Sequence, residues 1–311
     1  MGVARTLVRS RPGRRLAAAL ALLAVVLAGA ACDERIAAPP AAGEPGVAMV
    51  LTRDFGTREV ATVRVAPGQS AMAALQGSFR VETRYSGAYV HGIDGLAGSA
   101  GAGTDWLYFV NGVEAGVGAA SYDLHAADRV WWDYRRWHGR PTVGAVVGAW
   151  PEPFVHGYGG DAAPEVAADP PLADALSAAG ADVTTGDAPY RALVGGDADL
   201  RRRDPAWSRA VSDPQRAGMT AWIADGAVHA WDAASGHAVA VPGAVAVVAA
   251  VRAGASAGDG VVLAVAGLDG ALAERAARQV VADPGLLHDR YAVCLDRLGR
   301  PACAGGAGTT G

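Results

Sequence analysis

The chain has 311 residues, 27 basic against 31 acidic side chains and a net charge of −4; every basic residue is arginine. The first 31 residues hold five arginines and no acid, so beyond them 22 basic residues face 31 acidic ones, a net charge near −9. A surface of that sign repels phosphate backbones and excludes general nucleic-acid binding.

Residues 1–15 carry Arg5, Arg9, Arg11, Arg14 and Arg15, and Leu16 to Ala31 follow without a charge. A basic start followed by an apolar stretch too short to span a bilayer predicts an export signal over 1–31. Arg14–Arg15 leaves the general and the twin-arginine export routes both open. Ala28, Gly29, Ala30 and Ala31 lead into Cys32. This junction resembles the bacterial lipobox, which implies a lipid on the Cys32 thiol. An ordinary cleaved signal with an incidental cysteine is the competing reading. Lipidation would hold the chain on the membrane at its extracytoplasmic face. Residues 32–46 then form a Pro/Ala/Gly tether that reaches about 45 Å when extended.

Residues 47–138 alternate as strands do. Val47–Thr52 is an apolar run, and Arg58–Val65 places Ala61, Val63 and Val65 on one face. Ser70 caps a short predicted helix, Ala71–Gln76. Arg80–Tyr85, Tyr89–Ile93, Trp106–Val110 and Arg129–Arg135 read as further strands between Gly-rich turns. Two strands, a helix and more strands predict an α+β, β-grasp-like N-terminal domain.

Residues 142–303 predict a second domain, α/β or α+β. Thr142–Gly148 reads as a strand, Pro171–Gly180 as a helix and Tyr190–Val194 as a strand. Val239–Arg252 reads as one or two buried strands and Val261–Ala266 as another. Asp269 caps a predicted helix over Gly270–Val281, and Leu286–Leu295 reads as helical. Cys294 and Cys303, with eight residues between them, lie in a chain expected in an oxidising compartment, so a disulfide is expected, with two free thiols as the alternative. Residues 304–311 are too polar and small to build a core and are expected to be a disordered tail.

Catalytic motifs are sparse. Gly254-Ala255-Ser256-Ala257-Gly258 has the letters of a nucleophile elbow, but Asp259–Gly260 and a strand follow where a helix must start. The seven histidines form no H-x-H, H-x-x-x-H or H-E-x-x-H, and no C-x-x-C occurs. Arg201–Arg203 reads as a solvated turn rather than an anion site. No catalytic residue, metal site or cofactor is expected, and a non-catalytic protein follows.

The informative stretch is aromatic: Asp105-Trp106-Leu107-Tyr108-Phe109-Val110-Asn111-Gly112, then Tyr122-Asp123-Leu124, then Asp128-Arg129-Val130-Trp131-Trp132-Asp133-Tyr134. With Ile93-Asp94-Gly95, these segments resemble the transcobalamin-like C-terminal domain family over residues 47–138. Phe109 stands where that family usually has Tyr, and Ala127 where it has Gly. The resemblance implies a small β-grasp-like fold and a corrinoid or another flat ligand, handed to components of an uptake transporter. A surface module that binds a protein or glycan is the alternative. Alternation puts Val130, Trp132 and Tyr134 on a core face and leaves Trp131 and Asp133 facing out. Trp131 and Asp133 are therefore expected to bind ligand, with Tyr89 and His91 bordering the patch if their strand is adjacent. Trp106, Tyr108 and Asn111 of the aromatic motif complete the expected ligand-binding set, although the strand of Trp106 and Tyr108 is apolar on both faces and its inward side is left open. Packing of Trp131 under the second domain is the competing reading.

Overall fold

The computed structural model describes Gly2 and residues 46–137, 142–160, 163–232 and 235–303. The expected export signal (apart from Gly2), Cys32, the expected tether up to residue 45, His138 and the expected tail over 304–311 lie outside the described residues. The chain is an α+β protein. No helix among the described residues is long and apolar enough to cross a membrane.

The N-terminal half runs β1 (Val47–Arg53), β2 (Arg58–Val65), α1 (Ala71–Ser78), β3 (Val81–Arg84), β4 (Tyr89–Ile93), β5 (Leu96–Ala97), β6 (Thr104–Val110), β7 (Val113–Glu114) and β8 (Arg129–Arg136). Its main sheet has the order β2-β1-β8-β6-β7. β1 is antiparallel to β2 and parallel to β8, and β6 is antiparallel to β8. β3, β4 and β5 form a separate small sheet. The Ser70 hydroxyl accepts from Ala73 N at 3.0 Å and starts α1 where the sequence predicts it. Met72 and Leu75 of α1 pack with Met49, Leu51, Val110, Val130 and Trp132 on one face of the main sheet. Each such side chain contributes roughly 1.5–3 kcal/mol on leaving water.

The C-terminal half adds β9 (Glu165–Ala168), α2 (Leu172–Ala178), β10 (Asp182–Thr184), β11 (Tyr190–Gly196), α3 (Asp197–Arg203), α4 (Pro205–Ser212), β12 (Ala221–Ala224), β13 (Ala227–Asp232), β14 (His237–Ala240), β15 (Ala244–Arg252), β16 (Val261–Gly267), α5 (Gly270–Ala282), β17 (Ala292–Asp296) and β18 (Pro301–Cys303). The large sheet is ordered β10-β9-β11-β16-β15-β17-β18. Its four strands from β10 to β16 are parallel, and β15, β17 and β18 extend it with antiparallel pairs. β15 and β16 are apolar almost without interruption because both faces are covered. α2 and α5 cover one face, with Leu172, Leu176, Ala277 and Val280 in that core. α3, α4 and the β12-β13-β14 sheet cover the other, through Leu200, Trp207, Trp222 and Ile223. Asp269 caps α5 as expected, its carboxylate accepting from Leu272 N at 2.8 Å.

Two predicted elements are corrected. Thr142–Gly148 is buried in part but makes only an isolated bridge, Val113 to Ala145. It crosses between the two halves: Val146 N donates to Gly112 O at 2.8 Å and Val147 N to Tyr291 O at 3.3 Å. Leu286–Leu295 is not a helix. It begins as a short 3-10 turn and ends in β17, whose apolar residues pair with β15 in the sheet. Four buried residues in succession, Ala292 to Leu295, fit a strand covered on both faces better than a helix.

Candidate functional site: an aromatic cleft beside a buried interface

The two faces of β8 separate as alternation requires. Val130, Trp132 and Tyr134 join the core under α1. Trp131, Asp133 and Arg135 face the other way, but that face is not open. Trp131 is 1 % exposed, and Asp133 and Arg135 are fully buried. The C-terminal half covers them: Trp131 packs with Phe55, Phe109, Val143, Val146, Trp231 and Tyr291. Its ring centroid lies 5.6 Å from that of Phe109 and 5.3 Å from that of Tyr291. The expected exposed stacking surface at Trp131 and Asp133 is therefore corrected to internal packing. Leu107 and Phe109 offered the missed signal, because a strand apolar on both faces needs two covers.

Asp133 is the hub of this interface. Its carboxylate accepts from Thr52 Oγ1 at 2.6 Å, Phe55 N at 3.0 Å, Gly56 N at 3.2 Å and Tyr291 Oη at 2.9 Å. Trp131 Nε1 in turn donates to Thr52 Oγ1 at 2.7 Å. Asp54, Phe55 and Gly56 have φ of 56°, 62° and 78°, a left-handed run that turns two successive N–H groups toward the carboxylate. The Arg135 guanidinium lies 5.1 Å over the Phe55 ring and 5.7 Å over that of Tyr291. Burial pushes the Asp133 carboxyl above its ordinary value; the Thr52 hydrogen bond and the Arg135 charge only partly oppose it.

Asn111 is a structural pin. It is fully buried at a φ of 51°. Its Nδ2 donates to Asp128 Oδ1 at 3.0 Å and Gly157 O at 2.8 Å, and its Oδ1 accepts from Arg129 N at 2.8 Å. Asp128 also accepts from Tyr122 Oη at 3.1 Å and His125 N at 2.9 Å. The Asn-Gly turn, the Tyr-x-Leu segment and the Asp before β8 are thus one hydrogen-bonded knot. The ligand-binding role expected for Asn111 gives way to this one.

Tyr89, Trp106 and Tyr108 do come together. With Trp132, Glu114 and Val90 they line a cleft of about 140 Å³ between β4, β6 and β7. The Tyr108 ring stacks on Trp132 with centroids 4.7 Å apart and planes 20° from parallel. The polar ends of three rings are engaged: Trp106 Nε1 donates to Leu96 O at 2.8 Å, Tyr108 Oη to Val117 O at 2.5 Å, and Tyr89 Oη to Asp105, whereas the buried Trp132 Nε1 has no hydrogen-bond partner among the described residues. The cleft is lined mainly by aromatic and apolar side chains, with one carboxyl, Glu114, which accepts from Val143 N at 3.0 Å. Burial raises the pKa of Glu114, and also that of Asp105 and Tyr108. His91 does not line the cleft; its Nε2 lies 3.0 Å from Arg84 Nη2. Glu114 was not legible in the sequence, because a two-residue strand has no periodicity to read.

Among the described residues, no group of three or more His, Cys, Asp or Glu side chains is placed to hold a metal ion. Cys294 and Cys303 form a disulfide with Cα atoms 5.2 Å apart. It ties β17 to β18 at the sheet edge.

No curated protein matches the chain. Among solved structures, a presumed metal-binding protein from Ruminococcus gnavus, determined at 1.30 Å, aligns with 30 % of this chain and 98 % of its own. The two are 9 % identical, with a TM-score of 0.26. Residues 68–136 match the family described as "Domain of unknown function (DUF4430)". The matched segment, from Gly68 to Arg136, contains Tyr89, Trp106, Tyr108, Glu114 and Trp132.

Proposed function

We propose that the chain is a lipid-anchored, extracytoplasmic binding protein whose DUF4430 domain is transcobalamin-like and takes the edge of a flat ligand in the aromatic cleft. The observation that carries this reading is the cleft itself: Tyr89, Trp106, Tyr108 and Trp132 all line one space. The sheet order β2-β1-β8-β6, with β1 and β8 parallel, supports a β-grasp reading of the domain. A space of about 140 Å³ lies well below the roughly 300–1,000 Å³ of pockets that engulf a drug-sized ligand. A corrinoid would therefore enter by one edge or one side chain, with the macrocycle outside. Transfer to an uptake transporter would follow from the anchored position.

Calorimetric titration of the secreted protein with cyanocobalamin tests the ligand class. Saturable binding that Tyr108→Ala weakens at least tenfold supports a corrinoid at this cleft. Absence of binding removes the corrinoid. The anchor has its own test. Cys32→Ala protein should leave the membrane fraction; a processed variant that stays membrane-bound in high salt shows that Cys32 is not the anchor.

A second reading, an interaction module for a protein or glycan, is favoured by Tyr85 and Tyr89. Tyr85 is 78 % exposed at the β3–β4 turn, and the two rings lie 6.1 Å apart. Loss of partner capture in Tyr85→Ala with cyanocobalamin binding absent would select it.

A further inference from the structure

We propose a second binding site, for a small anion bearing phosphate or carboxylate, in the C-terminal half of the chain. A cavity of about 570 Å³ opens there, within the range of pockets that hold small-molecule ligands. Arg209 of α4, Arg216 in the loop after it and Arg252 at the end of β15 line it, with Asp213, Thr142 and Gly254. Three guanidiniums face one carboxylate, in a chain with an excess of acids.

Two of the three guanidiniums are held by backbone carbonyls and none forms an ion pair among the described residues. Arg252 donates through Nε to Gly144 O at 3.2 Å and through Nη2 to Glu114 O at 2.7 Å. Arg209 Nη2 donates to Ala253 O at 3.2 Å. These partners are backbone carbonyls, so they fix the heads of Arg252 and Arg209 without an ion pair; the Arg252 charge is felt by the Glu114 carboxyl, whose burial-raised pKa it partly lowers. Among the described residues, none of the three has a carboxylate within 4.0 Å. The preceding helix behaves differently: Arg201, Arg202 and Arg203 pair with Asp197, Asp199 and Asp169 at 2.6, 3.1 and 2.8 Å. Acid is abundant nearby, yet Asp213 is turned to its own loop, accepting from Arg216 N at 3.1 Å.

Three like charges converging on one cavity repel each other, and a bound anion relieves that repulsion. Fixed guanidinium forks suit the paired oxygens of phosphate or carboxylate. The loop that carries the Gly254–Gly258 motif forms one rim of this cavity. Its Ser256 hydroxyl caps a short turn in a reciprocal box with Asp259, so the loop supplies shape here and not a nucleophile.

The test is calorimetric titration of the secreted protein with inorganic phosphate and with citrate, at constant ionic strength. Saturable millimolar or tighter binding of either one is expected, with a rise in melting temperature. Phosphate alone would assign a phosphate-bearing ligand, and citrate alone a carboxylate. Arg209→Gln and Arg216→Gln should each weaken it at least fivefold, while Arg278→Gln on α5 leaves it unchanged. Absence of saturation with both anions, or wild-type affinity in the folded Arg209→Gln and Arg216→Gln proteins, would overturn the proposal. The cleft of the DUF4430 domain is untouched by these variants, so either site can fail without the other.

Discussion

The Tyr291 hydroxyl donates to the Asp133 carboxylate at 2.9 Å across 158 residues of sequence, joining the last strand of the N-terminal sheet to the segment that enters β17. Around this bond the aromatic rings of Phe55, Phe109 and Trp131 close edge-on against Tyr291. The two halves of the chain thus share a core, and Trp131 belongs to it.

Truncating either neighbouring tryptophan should therefore destabilise the protein. Trp131→Ala and Trp132→Ala are expected to cost about 3–5 kcal/mol each, because both indoles are fully buried. Urea unfolding of the two variants checks this. A Trp131→Ala protein within about 1 kcal/mol of wild type would show that the face of β8 that carries Trp131 is not packed.

Asp133 should leave a signature in the pH dependence of stability. Its carboxyl is raised from the ordinary 3.8 by burial, so the folded chain keeps the proton to higher pH than the unfolded chain. Stability then falls as pH rises from the ordinary carboxylate range through the raised value. Glu114 and Asp105 are raised for the same reason and add slopes of the same sign. Unfolding free energies measured across this range for wild type and Asp133→Asn should differ in slope, with the shallower fall in the variant. Equal slopes would show that Asp133 titrates normally.

The alkaline limb follows the same logic. Burial and the Asp133 charge push the Tyr291 phenol well above its ordinary 10.0. The folded chain holds this proton while the unfolded chain releases it, so stability falls as pH rises past that ordinary value. Tyr291→Phe should be less stable at neutral pH, having left Asp133 short of a donor, and should lose less on going to high pH. Denaturant titrations on both sides of the tyrosine range measure both effects.

Asn111→Ala should cost roughly 2–4 kcal/mol, since it strands Gly157 O and Arg129 N and removes a donor to Asp128. Asn111→Gly restores backbone freedom at a φ of 51° but none of these bonds, so it should recover only the smaller part. Equal stability of the Gly variant and wild type would show that the turn, and not the hydrogen-bonded knot, sets the need for Asn.

The Cys294–Cys303 bridge should appear as an absence of free thiol when denatured Cys32→Ala protein is titrated. Reducing it should lower stability by roughly 2–3 kcal/mol, the expected effect of closing a short loop. Retention of full stability after reduction would assign the edge strand pairing to β18 alone.

Much of this architecture was readable from local pattern. The Ser70 and Asp269 caps, the alternation of β2 and β8 and the apolar runs of β15 and β16 each act within a few residues, so the sequence determines them directly. It also separated Trp132 from Trp131, because a pleated strand must send neighbours to opposite faces. What covers a face is a different matter. Trp131, Asp133 and Arg135 read as an outward face because two of them are charged, yet the tertiary structure buries all three under Tyr291. The end of the Leu286–Leu295 segment, from Ala292, became a strand because β15 offered it an edge, and Thr142–Gly148 gave up strand pairing to cross between sheets. The meeting of Tyr89, Trp106, Tyr108 and Glu114 in one cleft, and of Arg209, Arg216 and Arg252 in another, likewise depends on pairing between distant strands and loops. Periodicity records which residues share a face; only the packed chain decides which faces meet, because that choice rests on contacts between segments far apart in sequence.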